Sequence, residues 1–351
     1  MGKHTWALRC VAAGVFMAGL VPQTVAGAIP APQVVLTHIV DQPIVIAGTV
    51  VTYSMTVATI GTDVLTDVHV TSSGCLRVSF LSGDTDGDAA VDPGESWHYG
   101  CSGPVLLDAT VVASVSATAA GTTVAATASA EVDVVHPAIH VEKYAPVRLV
   151  AGGGTARFTV SVRNEGDVRL GAVTESDPLA ADCYRAAGTV SADGNLDPHE
   201  QVDYECSMQV GSNGITNIVH VSATPPVGQA VTDMDFEEID VVNPRVEVEM
   251  YTANRVARTG DLITYTVSVK NLSTATNPAD GQLTDVVVSS PVTPGCSRVI
   301  GTLGIGGRVD YECTSRAGTE DFITLATVTA TPRSGPSVSD DDPCQQPDSR
   351  P

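Results

Sequence analysis

Five carboxylates fall within the twelve residues DTDGDAAVDPGE, Asp84 to Glu95. Asp84, Asp86, Asp88, Asp92 and Glu95 stand at positions 1, 3, 5, 9 and 12, and Ala90 at position 7 would add a backbone carbonyl. That is the spacing by which an EF-hand-type loop wraps a hard cation in oxygen ligands. An all-oxygen set of flexible geometry suits Ca2+, which is therefore the cofactor expected here; Mg2+ would demand stricter octahedral placement. Acids so close repel one another, and a divalent ion removes the repulsion. Two departures count against the match. Position 6, usually Gly, is Ala89, at a cost of about 1–2 kcal/mol if left-handed backbone is needed there. No helix signal flanks the loop either. The competing reading is a solvated acidic hairpin loop whose Asp and Gly merely form the turn.

The cysteines are the second chemically informative set. With Cys10 set aside in the N-terminal apolar run, Cys75 and Cys101, Cys183 and Cys206, and Cys296 and Cys313 form three pairs, with Cys344 the odd thiol left over near the end. In an exported chain these read as three disulfides. Loops of this size stabilise a fold by about 3 kcal/mol in the chain-entropy account. A zinc site is disfavoured, because no Cys-x-x-Cys or Cys/His cluster occurs. Cys344 either joins a second chain or envelope partner or stays idle in a tail.

The other reactive groups do not assemble into a catalyst. There is no HExxH and no GxSxG. His38, His69, His140 and His220 fall in strand-like alternations, where a satisfied or solvent-facing ring is expected. Trp97 reads as a core or rim aromatic. Asp340 to Asp342 read as a solvated run, and Asn271-Leu272-Ser273 as a surface sequon pattern. The chain is not expected to be an enzyme.

The elements that carry these groups are strands in a repeat. GTVVTYSMTVATIG from Gly48, GGTARFTVSVRNEG from Gly153 and GDLITYTVSVKNLS from Gly260 align at offsets of 105 and 107 residues. Each places an aromatic five residues on, Tyr53, Phe158 and Tyr265, and continues with the two-residue period of a half-buried strand. The blocks ending GESWHYGC at Cys101, HEQVDYEC at Cys206 and GRVDYEC at Cys313 follow in the same order. A strand–turn–strand tail closes each repeat, and VVHP and VVNP mark matching joints. The acidic loop has a weaker counterpart in the second repeat, Thr189, Ser191, Asp193, Asp197 and Glu200, and none in the third.

Repeats of about 100 residues with short alternating strands imply an all-β chain of three tandem immunoglobulin-like β-sandwich domains. The boundaries expected are 32–136, 137–243 and 244–342, with a disordered tail at 343–351. The segments YTVSVKN, TDVVVSSP, YEC and ATVTATP resemble the bacterial conserved-repeat domain of unknown function, number eleven in its series, and related Ig-like repeats. The resemblance covers nearly all of 32–342. It implies a stalk, spacer or adhesive module of secreted or envelope-attached proteins, and nothing about a ligand.

The first 28 residues read as a cleaved signal peptide: Lys3 and Arg9, a short apolar run, then Ala26-Gly27-Ala28. No later stretch approaches a membrane-spanning length, so no transmembrane segment is expected in the mature chain. With 18 Lys and Arg against 40 Asp and Glu, the net charge of −22 repels phosphate backbones, which excludes nucleic acid as a partner. The expectation is a secreted or cell-surface structural or adhesive protein, calcium-stiffened in repeat 1, with an extracellular or envelope partner. The alternative is a glycan- or protein-binding module that uses loops at one sandwich end.

Overall fold

A computed structural model describes residues 33–253, 256–318, 323–345 and 348–349. The expected signal peptide lies outside the described residues. By its contacts the chain divides into two compact units. One holds the described residues up to Gln42 with Val50–Gly103 and Thr110–Glu131; the other holds Pro43–Thr49, Pro104–Ala109 and the chain from Val132 on.

The first eight strands are β1 (Gln33–Val40), β2 (Ile44–Ile46), β3 (Thr49–Ile60), β4 (Leu65–Ser72), β5 (Ser79–Ser82), β6 (Trp97–Val105), β7 (Ala109–Ala119) and β8 (Thr122–Val135). One sheet runs β1-β3-β6-β5 and the other β2-β8-β7-β4. Alternation in β3 turns Val51, Tyr53, Met55 and Val57 inward, all essentially without exposure.

The next eight repeat the pattern. They are β9 (Ile139–Tyr144), β10 (Leu149–Ala151), β11 (Thr155–Asn164), β12 (Leu170–Ser176), β13 (Asn195–Leu196), β14 (Gln201–Gln209), β15 (Ile215–Thr224) and β16 (Val231–Asn243). Sheet β14-β11-β9 faces sheet β10-β16-β15-β12-β13 around a core that includes Phe158, Val160, Leu170 and Val221.

The last ten are β17 (Val246–Thr252), β18 (Val256–Ala257), β19 (Leu262–Asn271), β20 (Thr274–Ala275), β21 (Leu283–Ser289), β22 (Arg298–Leu303), β23 (Arg308–Arg316), β24 (Ile323–Pro332), β25 (Val338–Gln345) and β26 (Asp348–Ser349). Sheets β17-β19-β23 and β22-β21-β24-β25 enclose Tyr265, Val267, Leu283 and Val328. The architecture is all-β, tandem immunoglobulin-like sandwiches. In the first two, a short early strand also pairs in parallel with the closing one, β2 with β8 and β10 with β16, and in the third β18 pairs in parallel with β26, which follows the closing strand β25.

Three features recur at equivalent places. Asp67, Ala172 and Asp285, third in β4, β12 and β21, all take positive φ near 50°, and the register slips beside each. Such a bulge bends the strand and re-aims its side chains. Asn164 and Asn271 end β11 and β19 fully buried, and each donates both amide hydrogens to carbonyls, Asn271 to Gly281 and Leu303. The sequon pattern at Asn271 is thus an internal structural corner, not a surface loop. Alternate aspartates on the closing strand tie down the first strand. Asp233 and Asp235 accept the Val141 and Lys143 N–H groups at 2.9 and 2.7 Å, and Asp340 and Asp342 accept those of Val248 and Met250 at 2.9 and 2.6 Å.

The Asp340–Asp342 run is not a solvated end, because two of its three carboxylates make these bonds inside β25. The tail expected from 343 begins as strand: Pro343, Cys344 and Gln345 pair with Leu325, Thr324 and Ile323. A chain whose outward aspartates are bonded to a neighbouring strand gains by continuing the ladder.

Candidate metal centre

The acidic loop joins β5 to β6 and is closed at its foot by a disulfide and an aromatic cluster. Cys75, just before β5, bonds Cys101 of β6 across a Cα separation of 6.1 Å. Phe80 meets Trp97 and Tyr99 edge-on at 5.1 and 5.5 Å between ring centroids. At its far side Val91 exchanges both backbone hydrogen bonds with Leu65, at 3.1 and 2.8 Å, and neither residue is exposed. Ala90, next to that anchor, is also buried.

Between these anchors the loop coils on its own carboxylates. Asp84 accepts the N–H of Gly87 at 2.8 Å and of Ala89 at 3.3 Å; Asp86 accepts that of Asp88, and Asp88 that of Ala90 at 2.9 Å. Ala89 does take the left-handed backbone, φ +62°, so the strain foreseen for a non-Gly residue at position 6 is present. The result gathers Asp84, Asp86 and Asp88, whose nearest ligand oxygens all lie within 4.8 Å of one another.

The other two acids differ. Glu95 receives the Thr85 N–H at 2.9 Å, the Thr85 hydroxyl and the Asp92 N–H at 3.2 Å. Those bonds, the Thr85 hydroxyl first, hold its carboxyl down to about 2. Asp92 is pushed up, by burial first and then by Asp88, Asp86, Glu95 and Asp84. One carboxylate is thus locked in the loop while another is crowded by four like charges. Among the described residues no Lys, Arg or His pairs with any of the five.

The second sandwich solves the same crowding with a cation of its own. Arg169 pairs with Asp193 and, at 3.0 Å, with Asp197. Asp193 is held below the usual carboxylate range, by the Asn195 N–H first, with Ser191 and Arg169 adding to it. That partner lies twenty-odd residues upstream of the aspartates, and no local spacing announces it.

Beside the first loop is a groove of about 460 Å3 lined by His69, Phe80, Asp84, Ala89, Trp97 and Tyr99 among others. Trp97 and Tyr99 are buried, and only Phe80 of the three is substantially exposed. Strand alternation put Trp97 at the core rim, but the groove itself depends on the bulged strand β4 and was not legible.

The remaining sulfurs are bonded as Cys183–Cys206 and Cys296–Cys313, with Cα separations of 5.0 and 5.1 Å. Cys206 and Cys313 lie opposite the core aromatics Phe158 and Tyr265 in the ladder. Cys344, which takes no part in the three disulfides, is buried in β25, and burial first, then Asp342, pushes its thiol up. His38 is not solvent-facing. It is buried against Tyr53, neither ring nitrogen has a partner in good hydrogen-bond geometry although the Ala128 and Val111 backbones lie close enough to act on it, and burial drives its pKa down.

No family model matches the chain, and no curated protein matches it. Three solved structures that it is similar to are these. A fragment of the ICAM-5 ectodomain, D1–D4, aligns over 90% of this chain and 76% of its own at 11% identity and a TM-score of 0.33. A tetra-tandem repeat from the extending region of a large adhesion protein aligns over 89% and 74%, at 18% and 0.24. The Escherichia coli adhesin FdeC aligns over 90% and 98%, at 16% and 0.27. At such scores these are distant likenesses, and they say nothing of what this chain binds.

Proposed function

We propose that this chain is an exported structural or adhesive protein built of three disulfide-stapled Ig-like repeats, 32–136, 137–243 and a third that begins at 244 and runs through β25 to Gln345, with Ca2+ held in the first by the Asp84–Glu95 loop. The observation that carries the reading is the disulfide found once in every sandwich, ending each time on the strand that bears the Tyr-x-Cys motif. Disulfides persist in oxidising compartments and stabilise domains whose cores are modest. Among the described residues no helix is long and apolar enough to cross a membrane.

Calcium is supported by the Asp84–Asp86–Asp88 cluster and by five carboxylates that pair with no Lys, Arg or His among the described residues. Asp84, Asp86, Asp88, Asp92 and the Ala90 carbonyl would supply oxygens, and Glu95 would close the shell through Oε2, which accepts only the Asp92 N–H and so retains a lone pair. The test is calorimetric titration of the full chain with Ca2+, beside the double variant Asp84→Ala/Asp88→Ala. Micromolar-to-millimolar binding that the variant abolishes supports the reading; equal heats from both chains refute it. Non-reducing peptide mapping of chain recovered from outside the cytoplasm tests the rest, and any cross-repeat pairing overturns the three-repeat scheme.

One observation favours a second reading, an extracellular glycan-binding module. The groove sets Phe80 beside Asp84, so a sugar could meet an aromatic face and the loop together. Retention on a glycan array that Phe80→Ala removes would support it.

A further inference from the structure

The second sandwich holds a cluster that its neighbours lack. Lys143 of β9 touches the carboxylate of Asp177, just past β12, and neither side chain has any exposure. The Lys143 ammonium also lies 4.4 Å from the centroid of the Phe158 ring. Glu175, two residues before Asp177 and so on the same face of the strand, is fully buried as well. Its two oxygens have no partner in good hydrogen-bond geometry, nor has the nearby Tyr204 hydroxyl. Burial first pushes the Glu175 carboxyl up, with Tyr204, Lys143, Asp177 and Arg185 all close enough to act on it.

Asp177 is also held in a particular way. Its Oδ1 accepts the N–H groups of Leu179 at 3.0 Å and Ala180 at 2.8 Å, while Oδ2 faces Lys143. On the other side Asp235 fixes the Lys143 backbone through its N–H at 2.7 Å. A carboxyl whose one oxygen rests in two N–H groups and whose other faces an amine is arranged as an electrophile beside a nucleophile.

The repeats supply a built-in comparison. Lys143 stands opposite Val160 in the ladder, where Met250 stands opposite Val267 and His38 opposite Met55. Counted from Leu170, Leu283 and Leu65, Glu175 and Asp177 correspond to Val288 and Ser290 and to Val70 and Ser72. All three polar residues are absent together from the other two sandwiches, so the fold does not need them. A buried ion pair is costly to desolvate and is seldom better for stability than apolar residues of the same size.

We propose that Lys143 and Asp177 condense into an amide within the second sandwich, joining Lys143 Nζ to Asp177 Cγ, with Glu175 carrying the protons. The ammonium passes one proton to Asp177 Oδ2, which it touches, and the amine lone pair forms the N–C bond as the carbonyl electrons move to Oδ1. The Leu179 and Ala180 N–H groups stabilise that oxyanion. Glu175 then protonates the departing Oδ2, the C–O bond breaks, and water leaves. The surplus proton on nitrogen returns to the Glu175 carboxylate. The sum is ammonium plus carboxylate giving amide plus water, with no oxidant and Glu175 unchanged. Exclusion of bulk water from the site disfavours the reverse reaction.

The test is peptide mapping by mass spectrometry of the full chain, reduced, denatured and digested with trypsin. The expected result is a branched peptide in which Lys143 carries the stretch Leu170–Arg185, one water lighter than its parts, with no cleavage after Lys143. In Glu175→Gln that species is lost and the Leu170–Arg185 peptide runs free. An intact Cys183–Cys206 bond in an unreduced digest shows that the variant has folded, and Lys143→Met/Glu175→Val/Asp177→Ser, which copies the third sandwich, gives a second uncrosslinked control. Cleavage after Lys143 in the unaltered chain, with Leu170–Arg185 recovered at full mass, overturns the proposal.

Discussion

At the level of single residues the acidic loop is a balance between one carboxylate that gains from folding and another that loses. The Glu95 carboxyl is held at about 2, below its ordinary value, so its contribution is present above the unfolded pKa and is lost as pH falls toward 2. Thermal melts of the full chain should therefore weaken between about pH 4.5 and 2, and less so in Glu95→Gln. Asp92 has the opposite sign: pushed up, its charged form is disfavoured in the fold, and a bound cation would relieve it. Calcium should thus protect the chain more at neutral pH than at pH 3, which a melt with and without chelator would check. The spacing of these acids was plain in the sequence, as was Ala89 as the weak point. Hidden were the partners that no spacing announces: Thr85 on Glu95 within the loop and, from farther along the chain, Arg169 on Asp193 and Asp197 and the Asp340 and Asp342 bonds to another strand. Lys143 did leave a trace, since it falls in phase with Ile139 and Val141 on the inward face of β9. A charge in an apolar phase was the signal.

At the level of elements, sequence periodicity located the strands because the inward residues obey a strict two-residue period around Tyr53, Phe158 and Tyr265. It could not register the bulges, which are a backbone property. Ala172 sits at φ +50° without the side-chain help that aspartate can give at the same position in β4 and β21. Ala172→Gly should raise stability by about 0.5–1 kcal/mol, the relief of left-handed strain exceeding the entropy cost of glycine. A guanidinium melt of both chains decides it. The aspartates that tie the closing strand to the first are the reverse case. Removing Asp342 strands the Met250 N–H at a partly buried edge, and Asp342→Ala should cost about 1.5–3 kcal/mol in the same assay. Breaking the staple of β14 with Cys183→Ser/Cys206→Ser should cost about 3 kcal/mol for a bridge that spans 23 residues.

For the molecule as a whole, two compact units and several cores predict that unfolding is not a single transition. Scanning calorimetry should resolve at least two, of which only the one that responds to Asp84→Ala/Asp88→Ala shifts with Ca2+. At a hundredfold excess over its dissociation constant the ion should add about 2.7 kcal/mol to that transition. The net charge of −22 should make the remaining transitions rise with added salt, since screening weakens self-repulsion. The parallel pairing of β8 and of β16 has a mechanical side. A pull that enters at the head of β10 and leaves from the tail of β16 drags two parallel strands lengthwise past each other. The pairs Leu149 with Asp240, Val150 with Val241 and Ala151 with Val242 then bear the load in shear, all at once. An antiparallel hairpin pulled from its open end would unzip bond by bond; here the hydrogen bonds must rupture together, so a pull applied between β10 and β16 meets a ladder loaded in shear.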